Sequence, residues 1–232
     1  MLTRLNKQSF SLRTLVIAAS KYTAIISLSI VAITSQALAS ETVNAEPAKA
    51  KAELKTKLSH LISYSASFSQ SISDATGKEL QSSSGKLTLK TPNQLRWETE
   101  LPDETLLIAD GTTVWNVDPF VEQITVMHQH TITQNNPLML LVSDDEQQWS
   151  SVEVKKLKSG FLVNSNDENA NIVSLVIEFN GNVLSRLQST DRQEQKSLLV
   201  FSDIKQNQDI DASQFIFEVT DSYIIDDQRT QQ

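Results

Sequence analysis

The chain has no cysteine. That excludes disulfide staples, thiolate nucleophiles and cysteine-based zinc or iron–sulfur sites. It has no phosphate loop, no dinucleotide fingerprint and no Gly-x-Ser-x-Gly elbow. Histidine is scarce. His60 closes a helical stretch, and His128 and His130 are spaced to share one strand face but lack a third ligand. Asp144-Asp145-Glu146 lacks the alternating ligands and the glycine of a calcium loop, and reads instead as acids at a helix N-terminus. Paired carboxylates for hydrolysis are a spatial matter that the sequence leaves open. Positive charge is also short. Of the 20 Lys and Arg, four (Arg4, Lys7, Arg13, Lys21) lie in the first 39 residues, which hold no acid. The other 193 residues therefore carry 16 basic against 28 acidic groups. Such an acidic body argues against a nucleic-acid partner, because phosphate-backbone binding depends on Lys and Arg. No metal or cofactor is expected.

Residues 1–39 read as a secretory signal peptide. A basic flank precedes the uncharged stretch Tyr22–Thr34, and Ala37-Leu38-Ala39 supplies the small residues for cleavage before Ser40. The alternative is an uncleaved anchor over Leu15–Ile33, but Lys21 interrupts it, and charge within a span is costly. With no cysteine after the cleavage site, the expected product is a free, soluble protein in an exported compartment, residues 40–232, forming a single domain large enough to bury roughly 70% of its unfolded surface.

Ser40–Glu46 is small and polar and reads as a loose terminus. Over Pro47–Ser63, Ala50, Leu54, Leu58, Leu61 and Ile62 fall on one helical stripe. Lys49, Lys51, Lys55 and Lys57 occupy the remainder, either as a solvated face or as a membrane-attracted one. From Tyr64 the period becomes two. Strands are predicted from Tyr64–Ile72, around Leu87–Leu89 and Leu95–Trp97, and over Thr105–Ala109, Thr112–Val117, Val121–His128, Ser151–Leu157, Phe161–Asn164, Ile172–Phe179, Val183–Ser189, Lys196–Ile204 and Phe215–Val219. Thr76-Gly77, Asp110-Gly111, Ser159-Gly160 and Asn180-Gly181 suit hairpin turns. Gly85 falls inside a strand pattern and implies a bulge or kink. About eleven strands with short hairpins and no long crossovers predict an antiparallel meander that curls or closes. One segment breaks the pattern. Asn136 and Pro137 begin a short helix, Leu138-Met139-Leu140-Leu141-Val142 is apolar on every side, and Ser143–Glu146 opens a polar turn. A helix without a polar face must be wedged between two apolar surfaces. The expected fold is α+β and mainly β, with the first helix and the short apolar helix available to cover the sheet. Such a curled sheet needs filling or a cover, which points to a binder of apolar ligands; the rival is a plain β scaffold with a filled core.

Specific words in the chain carry a resemblance. They are Thr91-Pro92-Asn93-Gln94-Leu95-Arg96-Trp97, Pro102-Asp103-Glu104-Thr105, Asp110-Gly111-Thr112-Thr113-Val114-Trp115, Asp118-Pro119-Phe120-Val121-Glu122-Gln123, Asn136-Pro137-Leu138-Met139-Leu140, Phe215-Ile216-Phe217 and Asp226-Asp227-Gln228-Arg229. In order and spacing they resemble the periplasmic outer-membrane lipoprotein carrier family, LolA, over about Leu54–Arg229. The resemblance implies a monomeric, unclosed antiparallel β-barrel of about eleven strands, a half-barrel whose lid of short helices covers an apolar cavity for lipoprotein acyl chains. It implies loading by an inner-membrane ATP-driven ABC transporter and delivery to an outer-membrane receptor lipoprotein, with no bond change catalysed. Leu95 and Trp97 match positions that line or border that cavity. Strand alternation adds Phe68, Leu87, Leu106 and Ile108, with a register uncertain by one. Leu138, Met139 and Leu140 match the lid segment. Asp118, Pro119, Phe120 and Val121 form a loop suited to partner docking. The family's best-studied members carry, before the proline of the Pro-Asn block, an arginine that bonds to the lid. Here Thr91 stands there, and the expectation is a lid latched differently. Two other readings compete: a related half-barrel that binds lipid or senses envelope stress without carrying, and an exported hydrolase with dispersed acids.

Overall fold

The computed structural model describes residues 37–130, 140–142, 145–219 and 223–230. Helix α1 spans Ala37–Ser59. It therefore begins earlier than expected, and the loose terminus foreseen over Ser40–Glu46 is helical, with Pro47 inside the helix. Ala50, Leu54 and Leu58 are buried, as is Leu61 just beyond the helix end, whereas Ile62 is 60% exposed because the helical stripe has already stopped. Each buried leucine contributes roughly 2 kcal/mol from desolvation, so this stripe is what seats the helix. Although 23 residues long, α1 is not apolar enough to cross a membrane, and no other described helix is.

Eleven strands follow the alternation read from the sequence. They are β1 (Ser63–Ser73), β2 (Glu79–Lys90), β3 (Gln94–Leu101), β4 (Thr105–Asp110), β5 (Thr113–Asp118), β6 (Gln123–His128), β7 (Val152–Lys156), β8 (Gly160–Ser165), β9 (Ile172–Asn180), β10 (Val183–Asp191) and β11 (Lys196–Gln206). A twelfth, β12 (Ile224–Asp227), was not anticipated and runs parallel to β6. The sheet order is β12-β6-β5-β4-β3-β2-β1-β11-β10-β9-β8-β7. Two antiparallel meanders thus meet at the β1–β11 pair, and the described sheet stays open between β12 and β7. Those edge strands are the shortest, with four and five residues.

This order corrects the expectation of a meander without long crossovers. The chain leaves β6 near one edge and re-enters at β7 on the other, so these two strands are joined by a long connection rather than a hairpin. Within this connection lies α2 (Glu146–Ser150), capped by the Asp145 carboxylate, which accepts from the Gln147 amide. Leu140, Leu141, Val142 and Trp149 share one apolar cluster with Leu54, Leu58, Tyr64, Phe68, Leu87, Leu89, Val154, Val163, Leu175 and Ile177. Leu140–Val142, Trp149 and α1 therefore cover the same, inner, face. Tyr64 is wholly buried there, and its hydroxyl donates to the Leu184 carbonyl at 2.9 Å.

Another connection runs over the outer face. After β11 the chain passes Ile210, whose carbonyl accepts from Lys90 Nζ at 2.8 Å, then Gln214, whose carbonyl accepts from Arg96 at 3.2 Å. The strand expected over Phe215–Val219 does not form. A 3-10 turn at Ala212–Phe215 precedes an extended strap, with Phe215 buried and the Phe217 ring 5.7 Å from Trp115. Alternation there reports one side of an extended segment lying on a sheet, which gives the same period as a strand within one.

The bulge expected at Gly85 is present as a register shift between Ser84 and Gly85 against β3. A Cβ at Gly85 would lie 1.8 Å from the Glu98 carbonyl oxygen and 3.0 Å from the Phe68 ring, which itself stacks 4.7 Å from Trp97. Backbone cannot yield as a side chain can. Gly85→Ala is expected to destabilise the fold by at least about 2 kcal/mol, read from the midpoint of urea unfolding at unchanged slope.

Candidate functional site

Alternation and register decide which side chains meet under the cover. Leu87 pairs with Trp97 and Leu89 with Leu95, so these four share the inner face with Phe68. Trp97 in turn pairs with Leu107, and Leu95 with Ala109. Leu106 and Ile108, expected on this face, are therefore on the other one, and Leu107 and Ala109 replace them. Leu106 packs instead with Val117, Ile124, Trp115, Phe217 and Tyr223 beneath the strap. Sequence reading also missed Val114, which pairs with Ala109, and Met127, which pairs with Val114, both on the inner side. Of the lid residues, Leu140 is buried in the inner cluster, while Leu138 and Met139 lie outside the described residues.

The cover is fastened at named points. The Asn93 amide donates to the Val142 carbonyl at 3.0 Å, and Gln129, buried, spans the Asn93 carbonyl at 2.8 Å and the Gly111 amide at 2.9 Å. Lys51 Nζ donates to the Trp149 carbonyl at 2.9 Å, and Lys55 pairs with Glu146 while lying 5.9 Å from the centre of the Trp149 ring. Lys57 reaches the Gly181 carbonyl and Asn182 Oδ1 at 3.2 and 2.9 Å. Three lysines read as a solvated or membrane-attracted face thus hold the helix to the rest of the chain. A cavity of about 270 Å³ remains between Lys55, Leu58, Ser59, Thr91, Pro92, Leu140–Val142 and Trp149.

Thr91 borders this cavity, but its bonds go elsewhere. Its amide and hydroxyl both donate to the Ile62 carbonyl, at 2.9 and 3.1 Å. Asn207 Oδ1 accepts from the Ile62 amide at 2.9 Å, and Asn207 Nδ2 donates to the His60 carbonyl at 2.8 Å. The turn between α1 and β1 is held from both sides.

The Asp118–Val121 loop stands at the far end of the sheet from this turn. The Asp118 carboxylate accepts from the Phe120 and Val121 amides, which leaves Phe120 89% exposed and Val121 half-exposed. The Glu122 carbonyl accepts from the Ile224 amide at 2.8 Å. Exposed Ile224 and Ile225 therefore extend the apolar surface of the loop along β12.

A family profile described as outer membrane lipoprotein carrier protein LolA matches residues 59–218. Proteins named outer-membrane lipoprotein carrier protein are similar over most of their length. That of Shewanella sediminis is 36% identical over 176 residues, covering 76% of this chain and 85% of that protein. Those of Actinobacillus succinogenes and Haemophilus influenzae are 36% and 35% identical over 183 residues, covering 78% of this chain and 88% and 89% of theirs.

The Arg229 guanidinium holds the Asp227 carboxyl down at about 2, through a side-chain bond and a bond from its own amide. A group with a lowered folded pKa favours the folded edge above the ordinary carboxylate range, near 4, and that contribution disappears as pH falls through the folded value. An NMR titration is expected to place the Asp227 midpoint near 2 in the native protein. Arg229→Gln should return it toward ordinary aspartate values.

Proposed function

This chain belongs to the outer membrane lipoprotein carrier family, LolA, and on that premise we propose that it is a periplasmic chaperone that carries lipoproteins by their acyl chains. The observation that carries this reading beyond family membership is the covered apolar inner face. One side of an open sheet, from Leu95 and Trp97 through Phe68 and Leu87 to Val163 and Ile177, is roofed by two segments that are not part of the sheet. Acyl chains can take the place of that roof without the sheet changing its pairing. The role is transport, with cargo bound and released and no bond made or broken.

Burying an acyl chain contributes about 0.8 kcal/mol per methylene, so a lipoprotein with several chains does not cross water alone. The carrier must offer a comparable interior and still release it. Loading by an ATP-driven inner-membrane ABC transporter would set the direction, and a tighter-binding outer-membrane receptor would take the chains onward. Phe68, Leu87, Leu95, Trp97 and Leu140 would contact cargo, with Leu107 and Ala109 beside them. The loop Asp118, Pro119, Phe120 and Val121, with Ile224 and Ile225, would meet a partner. Residues 1–39 would direct export and be removed before Ser40.

Purified Ser40–Gln232, added to spheroplasts making labelled outer-membrane lipoprotein, should bring that lipoprotein into the supernatant in a one-to-one complex. Failure beside a working relative would remove the carrier reading. Trp97→Glu should lower the yield of complex by about tenfold or more, since a carboxylate buried among acyl chains is unpaired. Amino-terminal sequencing of the exported protein should begin at Ser40; an intact Met1 would overturn the export assignment.

A further inference from the structure

The two parts of the cover are fastened very differently. Helix α1 is tied to the sheet at several independent places. Glu53 pairs with Lys156 on β7. Lys57 reaches Gly181 and Asn182 in the β9–β10 turn. Ile62 is held by Thr91 on one side and Asn207 on the other. Leu54 and Leu58 are buried beneath it. By contrast, α2 is joined to α1 through its surface. Lys51 donates to the Trp149 carbonyl, and Lys55 pairs with Glu146 and lies over the Trp149 ring. Glu146 is 78% exposed and Lys55 42% exposed, so water and salt reach the pair.

We propose that α1 is the fixed jamb of the cover and α2 the moving part, and that Lys51 and Lys55 of α1, with Glu146 of α2, form the latch that sets how readily the interior opens. The inference rests on the carrier reading for its purpose but not for its geometry. Positions 51 and 55 are one helical turn apart and so stand on one face of α1, presenting one cation to each end of α2. Its C-terminal carbonyl at Trp149 is an acceptor for one of them, and Glu146 is the counter-charge for the other. Trp149, buried with the inner cluster, is the plug that this latch keeps in place. An exposed pair of this kind is weak and salt-sensitive, which suits a cover that must both close and yield. Thr91, spent on the α1–β1 turn, helps to keep the jamb still.

The test uses the full mature chain and 11-(dansylamino)undecanoic acid, a fluorescent fatty acid, with uptake followed by stopped flow at 20 and 300 mM NaCl. Native protein should take up the probe faster in high salt. Lys55→Met and Glu146→Gln should each speed uptake at low salt by about two- to fivefold and abolish the salt response. The reversed pair, Lys55→Glu with Glu146→Lys, should restore it. Lys51→Met should speed uptake and keep the salt response. Lys86→Met, which breaks an exposed pair with Glu100 on the outer face, should change neither. Amide exchange over 145–151 should rise in Lys55→Met and stay unchanged at Ile62 and Ser63. If Lys55→Met matches native protein in uptake and exchange, or if Lys86→Met speeds uptake equally, the latch is wrong. If no variant takes up the probe, the carrier reading is wrong, and the exchange data still decide the latch.

Discussion

An open sheet with one apolar face has to be roofed. Closing into a barrel would remove both edges and bury the inner face by itself. This sheet stops short of that, so Phe68, Leu87, Val163, Ile177 and their neighbours need atoms from elsewhere. The strand order supplies them. Because β7 pairs at the edge remote from β6, a long connection has to join them, and its all-apolar residues Leu140–Val142 lie on the inner side. Helix α1, arriving at the central strand β1, fills the remainder. Roof and topology are therefore one decision.

The outer face repeats the logic with a different result. The strap after β11 crosses β2, β3 and β5 and is fixed by Lys90, Arg96 and the Trp115–Phe217 contact before it ends as β12. It lies over the buried cluster of Val117, Ile124 and Val126, with Leu106 and Trp115 packed against it. It also spans the molecule. It starts at Asn207, beside the α1–β1 turn, and reaches the Glu122 carbonyl at the opposite end. One short segment thus touches both the place where the roof is anchored and the loop that presents Phe120.

The strands were legible wherever one face is wet, because polar and apolar residues then alternate. Tyr64 to Ile72 is the clearest case. Legibility failed at Leu106-Leu107-Ile108, where both faces are dry and three apolar residues in a row carry no phase. It failed at β12, whose four residues include two acids. It failed over Phe215–Val219, where alternation marks a strap and not a paired strand. The apolar segment Leu140–Val142 was visible as a misfit in a β pattern, and the rest of the helix expected from Asn136 lies outside the described residues. The contacts of the cover had no local signal. Lys55 and Glu146 are 91 residues apart, and nothing in a run of lysines on a helix says which is spent on a carbonyl and which on water.

Among the described residues the open sheet ends in two edge strands, β12 and β7, and an edge of this kind can template the addition of a second chain. The chain meets this with its two shortest strands. β7 ends in Lys155 and Lys156, and β12 ends in Asp226 and Asp227. Short, charged margins give an incoming strand few bonds and a desolvation penalty for each. A half-barrel left unsealed is in this way guarded against edge-to-edge growth into a fibre, and the guard stands at its borders rather than in its core.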